Sequence, residues 1–262
     1  MEGYLLDREK YWDKNYAAYW KGKTQEANDP KEKSSALSKD TLTSSDKIYH
    51  EYIDHLNIQK DEDVLELAVG FGRSIPLLAG LAKKLVALDI SEEMVELAKA
   101  SYDNRENVEF HVSEAENTPL SESTFDVVVC FAAFDAMYQT DALLEINRVC
   151  RIGARVLLTG KNDNYLLDDE LAIAAEIGAR EKGHPNFFTD VVKLKQFLVS
   201  FGFSLEKEFY FVKRGDFGAN SFVTDAPEAF YEWAFFLKKN SQPNINSDVQ
   251  ISSVFSKTLQ KK

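Results

Sequence analysis

Between residues 63 and 160 the chain alternates short apolar runs with segments of helical spacing, and few folds accept that pattern. "DVLELAV", "KLVALDI", "VEFHVSE", "FDVVVCFAA" and "ARVLLTG" suit strands. "RSIPLLAGLA", "SEEMVELAKASYDN" and "DALLEINRVC" suit helices, the second with Ser91 as its cap. Strands that are apolar on both faces must be covered on both faces, as crossover helices between parallel strands do. Right-handed crossovers then predict an α/β, doubly wound, mostly parallel sheet.

The flanks read differently. Residues 1–47 combine an aromatic stretch, with Tyr4, Tyr11, Trp12, Tyr16, Tyr19 and Trp20, and a Ser/Thr-rich segment from 31 to 47. They predict a helical cap on a hinge, either packed on the sheet edge or closing as a lid. "SSDKIYHEYIDHL" starts a helix with Ile48, Tyr52, Ile53 and Leu56 on one face, and opens a main domain over 48–240. Within it, "DDELAIAAEIGAREKG" marks a helical insertion around 163–188. "TDVVKLKQFLVSFGF" is a helix capped by Thr189 or Asp190 and stopped at Gly202. "SLEKEFYFVKR" reads as a strand, and aromatic content favours a strand for "AFYEWAFFLKK" too. Residues 241–262 are polar and are expected as a loosely held tail.

A formal charge of −12 argues against a grip on nucleic-acid backbone, which needs clustered cations, and against anionic membrane surfaces. No apolar run approaches the roughly 18–20 residues of a membrane span. The N-terminal stretch lacks the apolar core of a signal peptide, and Cys130 and Cys150 sit in apolar surroundings, so a cytoplasmic setting with reduced core thiols is expected. No metal-ligand spacing stands out.

The stretch "VLELAVGFGRSIPLLA" carries the chemistry. A strand that ends in G-x-G and runs into a helix lets a ligand approach the main chain beyond the strand ends. The third small residue of the dinucleotide fingerprint is missing at Ile75, and no phosphate loop is present. An acid, Glu66, stands at the loop's entry; it repels phosphate and suits a ligand with positive charge.

These residues resemble the first motif of the class I S-adenosylmethionine-dependent methyltransferases. "LVALDISEEMVELAKA", "NVEFHVSEAENTPLSESTFDVVVCFAAF" and "ALLEINRVCRIGARVLLTG" are similar to the later motifs in order and spacing, and the likeness covers about residues 45–240. The resemblance implies a seven-stranded sheet whose last strand is antiparallel, with S-adenosyl-L-methionine as cofactor. Glu66 and the loop Ala68–Gly72, with Gly70, would then hold the methionine end. Asp89 would bind the ribose hydroxyls, Ile90 would pack on one adenine face, and Glu114 would accept from the adenine amino group while the Ala115 N–H donates to the ring. Phe131 would lie near the methionine part, and Tyr11, Tyr19 and Trp20 would close over the cofactor. Ala68 stands where the family usually has glycine, and its methyl calls for a negative φ. Taken singly, Asp89 also reads as a helix cap, Glu114 as a solvated turn residue and Phe131 as core.

Catalytic groups in that family come from loops after the fourth and fifth strands and from inserted elements. Here these supply Asp135 and Tyr138, Asn162, and His184, whose type titrates near neutrality but which alternatively only shapes a loop before Pro185. The expected reaction is in-line transfer of a methyl group to the oxygen or nitrogen of a small molecule, with a homodimer left open. Rival readings are a methyltransferase acting on RNA or protein, a non-catalytic subunit that keeps the fold, and a nicotinamide-dependent oxidoreductase.

Overall fold

The computed structural model describes Arg8, Tyr11, Trp12 and residues 45–262 other than 103, 184, 185, 246 and 247, with the backbone alone for 45–48. The elements run α1 (Ser45–Asp54), β1 (Asp63–Leu67), α2 (Ile75–Leu81), β2 (Lys84–Asp89), α3 (Glu92–Tyr102), β3 (Val108–Val112) and β4 (Phe125–Cys130). There follow α4 (Gln139–Val149), β5 (Cys150–Lys161), α5 (Glu170–Glu181), β6 (Phe188–Thr189), α6 (Val191–Phe197), β7 (Phe203–Phe211), β8 (Glu232–Lys239), β9 (Ser252–Ser253) and α7 (Lys257–Gln260). Among the described residues no helix is long and apolar enough to cross a membrane.

Seven strands form one sheet in the order β3-β2-β1-β4-β5-β8-β7. The first five pair in parallel, and β8 runs antiparallel to both β5 and β7. This is the expected doubly wound sheet with an antiparallel final strand. From β1 the chain builds outward through β2 and β3, then returns to the other side of β1 with β4. A cleft opens at such a reversal, beyond the carboxyl ends of the strands.

The apolar runs are continuous because each strand feeds two cores. Val64, Leu85, Ala87, Val127, Val129 and Leu157 join the core under α1 and α2. Leu65, Leu67, Val86, Val128, Cys130, Val156 and Leu158 join the opposite core with α4 and α6. Alternation of side chains along a strand makes that division automatic. Tyr52, Ile53 and Leu56 are buried, so α1 docks by the face expected of it. Ser91 accepts the Met94 N–H at 3.2 Å, and Asp190 accepts the Lys193 N–H at 3.0 Å, as helix caps do.

Two expectations need correction. β5 starts at Cys150 and takes in "RIGAR", which bulges: Phe125 faces Cys150, and the next partners are Val127 and Arg155. More consequentially, the C-terminal segment is docked. Ile251 is buried, β9 pairs with β6, and Ser256 and Thr258 are fully enclosed. Polar composition hid this because the segment is held by hydrogen bonds. Glu176 of α5 accepts from the Ser256 hydroxyl at 2.5 Å and its N–H at 3.1 Å, and from the Tyr165 hydroxyl at 2.5 Å. Thr258 donates to the Tyr165 carbonyl at 2.6 Å.

Candidate active site

A cavity of about 220 Å³ lies at the carboxyl ends of β1, β2, β3 and β4. Glu66, Ala68, Gly70, Asp89, Ile90, Ala115 and Phe131, all singled out from the sequence, line it.

Glu66, next to last in β1, is buried in the cavity wall and only 3% exposed. Ser74 occupies the N-cap position of α2 but makes no cap bond, because its hydroxyl turns to donate to the Oε1 of Glu66. The other carboxylate oxygen, Oε2, is buried with no hydrogen-bond partner among the described residues. Burial pushes the Glu66 carboxyl up to about 8; the Ser74 bond opposes the shift and nearby Asp89 adds to it. Arg73 faces the same cavity, and its Nε is likewise buried without a partner; its guanidinium lies 5.3 Å from the centre of the Tyr49 ring. One wall therefore presents a carboxylate and a guanidinium, each with an unused polar atom. Buried groups of this kind are costly unless something arrives to pair them.

Asp89 closes β2 and is also buried, which raises its pKa despite three backbone hydrogen bonds. Its Oδ2 accepts the Gly70 N–H at 2.8 Å, and its Oδ1 accepts the Ser91 N–H at 2.9 Å. The carboxylate thus pins the loop after β1 to the start of α3, so the cap reading and the ligand reading of Asp89 are compatible. Leu88, Ile90, Met94 and Met137 supply apolar lining.

The loop's alanine does not take the negative φ expected of it. Ala68 has φ +56°, and Ala132, after β4, has φ +49°. Left-handed backbone at a residue with a Cβ costs about 1–2 kcal/mol. Both alanines line the cavity, where such strain tends to collect. Gly70, at φ +55°, has open space where a Cβ would stand. Gly72 does not line the cavity; a Cβ there would meet Ile75 at 2.8 Å and Tyr102 at 2.9 Å, so it is a packing glycine.

Glu114 does not face the cavity either. Its side chain is 57% exposed, and the turn after β3 presents Ser113, Ala115 and Glu116 instead. Glu116 is held by Arg8, whose Nη2 donates to Oε2 at 3.0 Å while Nη1 pairs with Oε1. Trp12 lines the cavity with Arg8, and Tyr11 packs edge-on against Trp12 at 5.3 Å. Tyr19 and Trp20 lie outside the described residues.

A second cavity, also about 220 Å³, opens on the other side of Ala132, which lines both. Asp135, Thr159, Lys161, Arg214, Phe217, Tyr231 and Glu232 line it. Of the candidate catalytic residues only Asp135 is placed here, and it is paired with Lys161 Nζ at 2.6 Å. Asn162 lines neither cavity: its amide donates to the carbonyls of Asn164 at 2.7 Å and Phe230 at 3.1 Å, a structural use. Tyr138 lies under the Arg8 guanidinium, 4.8 Å from ring centre to cation, and outside both cavities. His184 lies outside the described residues.

Sequence reasoning missed Arg8, Arg73 and Glu232. Arg73 carried a signal: a cation just before a helix N-terminus opposes the helix dipole, a local conflict that marks a position kept for another purpose.

Residues 65–158 match the family model described as a methyltransferase domain. An uncharacterized methyltransferase of Schizosaccharomyces pombe is 29% identical over 106 residues, 40% of this chain and 41% of that protein. A demethylmenaquinone methyltransferase of Clavibacter sepedonicus is 32% identical over 98 residues, 37% of this chain and 40% of that protein. The chain thus spans about 40% of the length of these curated relatives. An S-adenosylmethionine-dependent methyltransferase structure from Mesorhizobium loti superposes with a TM-score of 0.60 at 12% identity, covering 75% of this chain and all of that one. Residues 65–158 thus form a methyltransferase domain, and the seven-stranded sheet around them has the Rossmann-like fold of S-adenosylmethionine-dependent methyltransferases.

Proposed function

We propose that the protein transfers a methyl group from S-adenosyl-L-methionine to a small-molecule acceptor. The observation that carries this reading is that Glu66 Oε2 and Arg73 Nε, both buried in the wall of one cavity, have no hydrogen-bond partner among the described residues. A zwitterionic amino-acid end satisfies both at once, its ammonium at Glu66 and its carboxylate at Arg73. Asp89 suits the ribose diol, and Ile90, Met94 and Met137 suit a flat ring. The residues present therefore fit the cofactor. When bound, it supplies an electrophilic methyl on a sulfonium. The chain's part is to align a nucleophile with that methyl and exclude water.

The second cavity beyond Ala132 supports a discrete acceptor beside the donor site. The relative named for demethylmenaquinone methylation supports an acceptor of small-molecule type. An acidic chain with net charge −12 supports it over nucleic acid.

Calorimetric titration with the demethylated cofactor, S-adenosylhomocysteine, tests the reading. Asp89→Ala is expected to weaken binding by roughly 1.5–3 kcal/mol through lost charge-assisted hydrogen bonds. Absence of binding by the unaltered protein would instead favour a scaffold that only keeps the fold.

A further inference from the structure

The second cavity holds five titratable or charged side chains, from four parts of the fold. They are Asp135 after β4, Lys161 at the end of β5, Arg214 in the loop after β7, and Tyr231 and Glu232 at the start of β8. Two of them cancel. Lys161 Nζ sits 2.6 Å from Asp135 Oδ2 and donates to Asn186 Oδ1 at 3.1 Å, so its charge is spent within the protein. Two charges are left over. The Glu232 carboxylate and the Arg214 guanidinium form no ion pair and no side-chain hydrogen bond among the described residues, although each lies within the other's field.

Their separation is built in. Asp169 accepts the Ala172 N–H at 3.0 Å with one oxygen, capping α5. With the other it accepts the backbone N–H of Arg214 at 2.8 Å, which fixes where that loop passes the cavity. Glu232 is fixed by its strand register opposite Lys161. Neither group is free to collapse onto the other by moving its backbone.

We infer that this cavity is the acceptor site, and that the acceptor is a small amine which also carries an anionic group. The anionic group pairs with Arg214, and the nitrogen is held and deprotonated by Glu232. The inference rests on the methyl-transfer reading and adds the class of acceptor and the base. In the reaction the nitrogen lone pair forms the new N–CH3 bond while the methyl's bond to sulfur breaks, the electron pair staying on sulfur. The proton leaves the nitrogen for a Glu232 carboxylate oxygen and passes from there to solvent. No further oxidant, reductant or co-substrate is needed.

The groups around Glu232 support that role. Burial together with Asp135 and Asp169 raises its pKa, Lys161 and Arg214 lower it, and the balance lies at about 7, suited to taking a proton near neutral pH. Tyr231 beside it is pushed up to about 12 by burial and remains neutral.

The test uses the full chain saturated with S-adenosylhomocysteine, and reads binding by calorimetry. The probes are glycine, β-alanine, γ-aminobutyrate and anthranilate, each beside its carboxamide and beside the hydroxy acid that replaces its amine. At least one amino acid is expected to bind roughly fivefold or more tightly than its carboxamide, because Arg214, exposed in the free protein, can pair with the carboxylate and not with the amide. Arg214→Met should abolish that preference. With S-adenosylmethionine, Glu232→Gln should lower kcat about 100-fold or more and flatten a rise in kcat/KM centred near pH 7. Binding of none of the amino acids, a preference unchanged in Arg214→Met, or tighter binding of the hydroxy acids would overturn the inference. Failure to bind S-adenosylhomocysteine at all would overturn the methyl-transfer reading on which it rests.

Discussion

At the scale of single residues, the site trades stability for shape. Ala68 and Ala132 hold left-handed backbone with a Cβ in place, where glycine would carry no such cost. Ala68→Gly is expected to stabilise the protein by about 1 kcal/mol, read as a raised midpoint in thermal or urea unfolding. A fall in stability would mean that the methyl contributes packing worth more than the strain. Glu66 makes a second prediction. Its ordinary value of 4.5 is raised to about 8, so the folded chain keeps a proton that the unfolded chain loses across that window. The stability of the ligand-free protein should therefore fall as pH rises from about 4.5 to 8, by roughly a few kcal/mol, and Glu66→Gln should remove the slope. An ammonium arriving at Glu66 expels that proton. Calorimetry at pH 6.5 in buffers of different ionisation enthalpy should then show proton release on binding S-adenosylhomocysteine, and little in Glu66→Gln.

Elements fix which residues meet, and here legibility from sequence divides cleanly. The strands, their apolar runs and the caps at Ser91 and Asp190 were readable because their signals are local. That Glu66, Gly70 and Asp89 share one cavity was readable because they lie at or just beyond the carboxyl ends of the neighbouring strands β1 and β2. Glu114 against Glu116 was not, since the turn after β3 decides which side chain faces inward. Asn162 was not, since one of its two partners, the Phe230 carbonyl, comes from a distant part of the chain. The C-terminal segment was misjudged for the same reason: its anchor, Glu176, lies far upstream. Glu176→Ala would strand Tyr165, Ser256 and Arg180, and should cost about 3–5 kcal/mol in urea unfolding. A loss below about 0.5 kcal/mol would show the segment to be dispensable to the fold. Arg8 belongs to this scale too. It joins the N-terminal stretch to Glu116 at the cavity wall, so Arg8→Ala is expected to weaken binding of S-adenosylhomocysteine about tenfold.

Taken whole, the molecule is built on one main sheet whose strand order reverses between β1 and β4, with one cavity at the reversal and a second that shares Ala132 with it. β1 to β4 build the first; the end of β5, the start of β8, helix α5 and the loop after β7 build the second. That arrangement suits the proposed reaction, in which the donor would occupy the first cavity and the acceptor the second, the two meeting at Ala132. The most direct measurement is a crystal structure of the protein with S-adenosylhomocysteine. The account predicts the amino-acid ammonium against Glu66, its carboxylate against Arg73, the ribose hydroxyls on Asp89 and the sulfur facing Ala132. A ligand seated elsewhere, or one whose amino-acid end turns away from both Glu66 and Arg73, would contradict it.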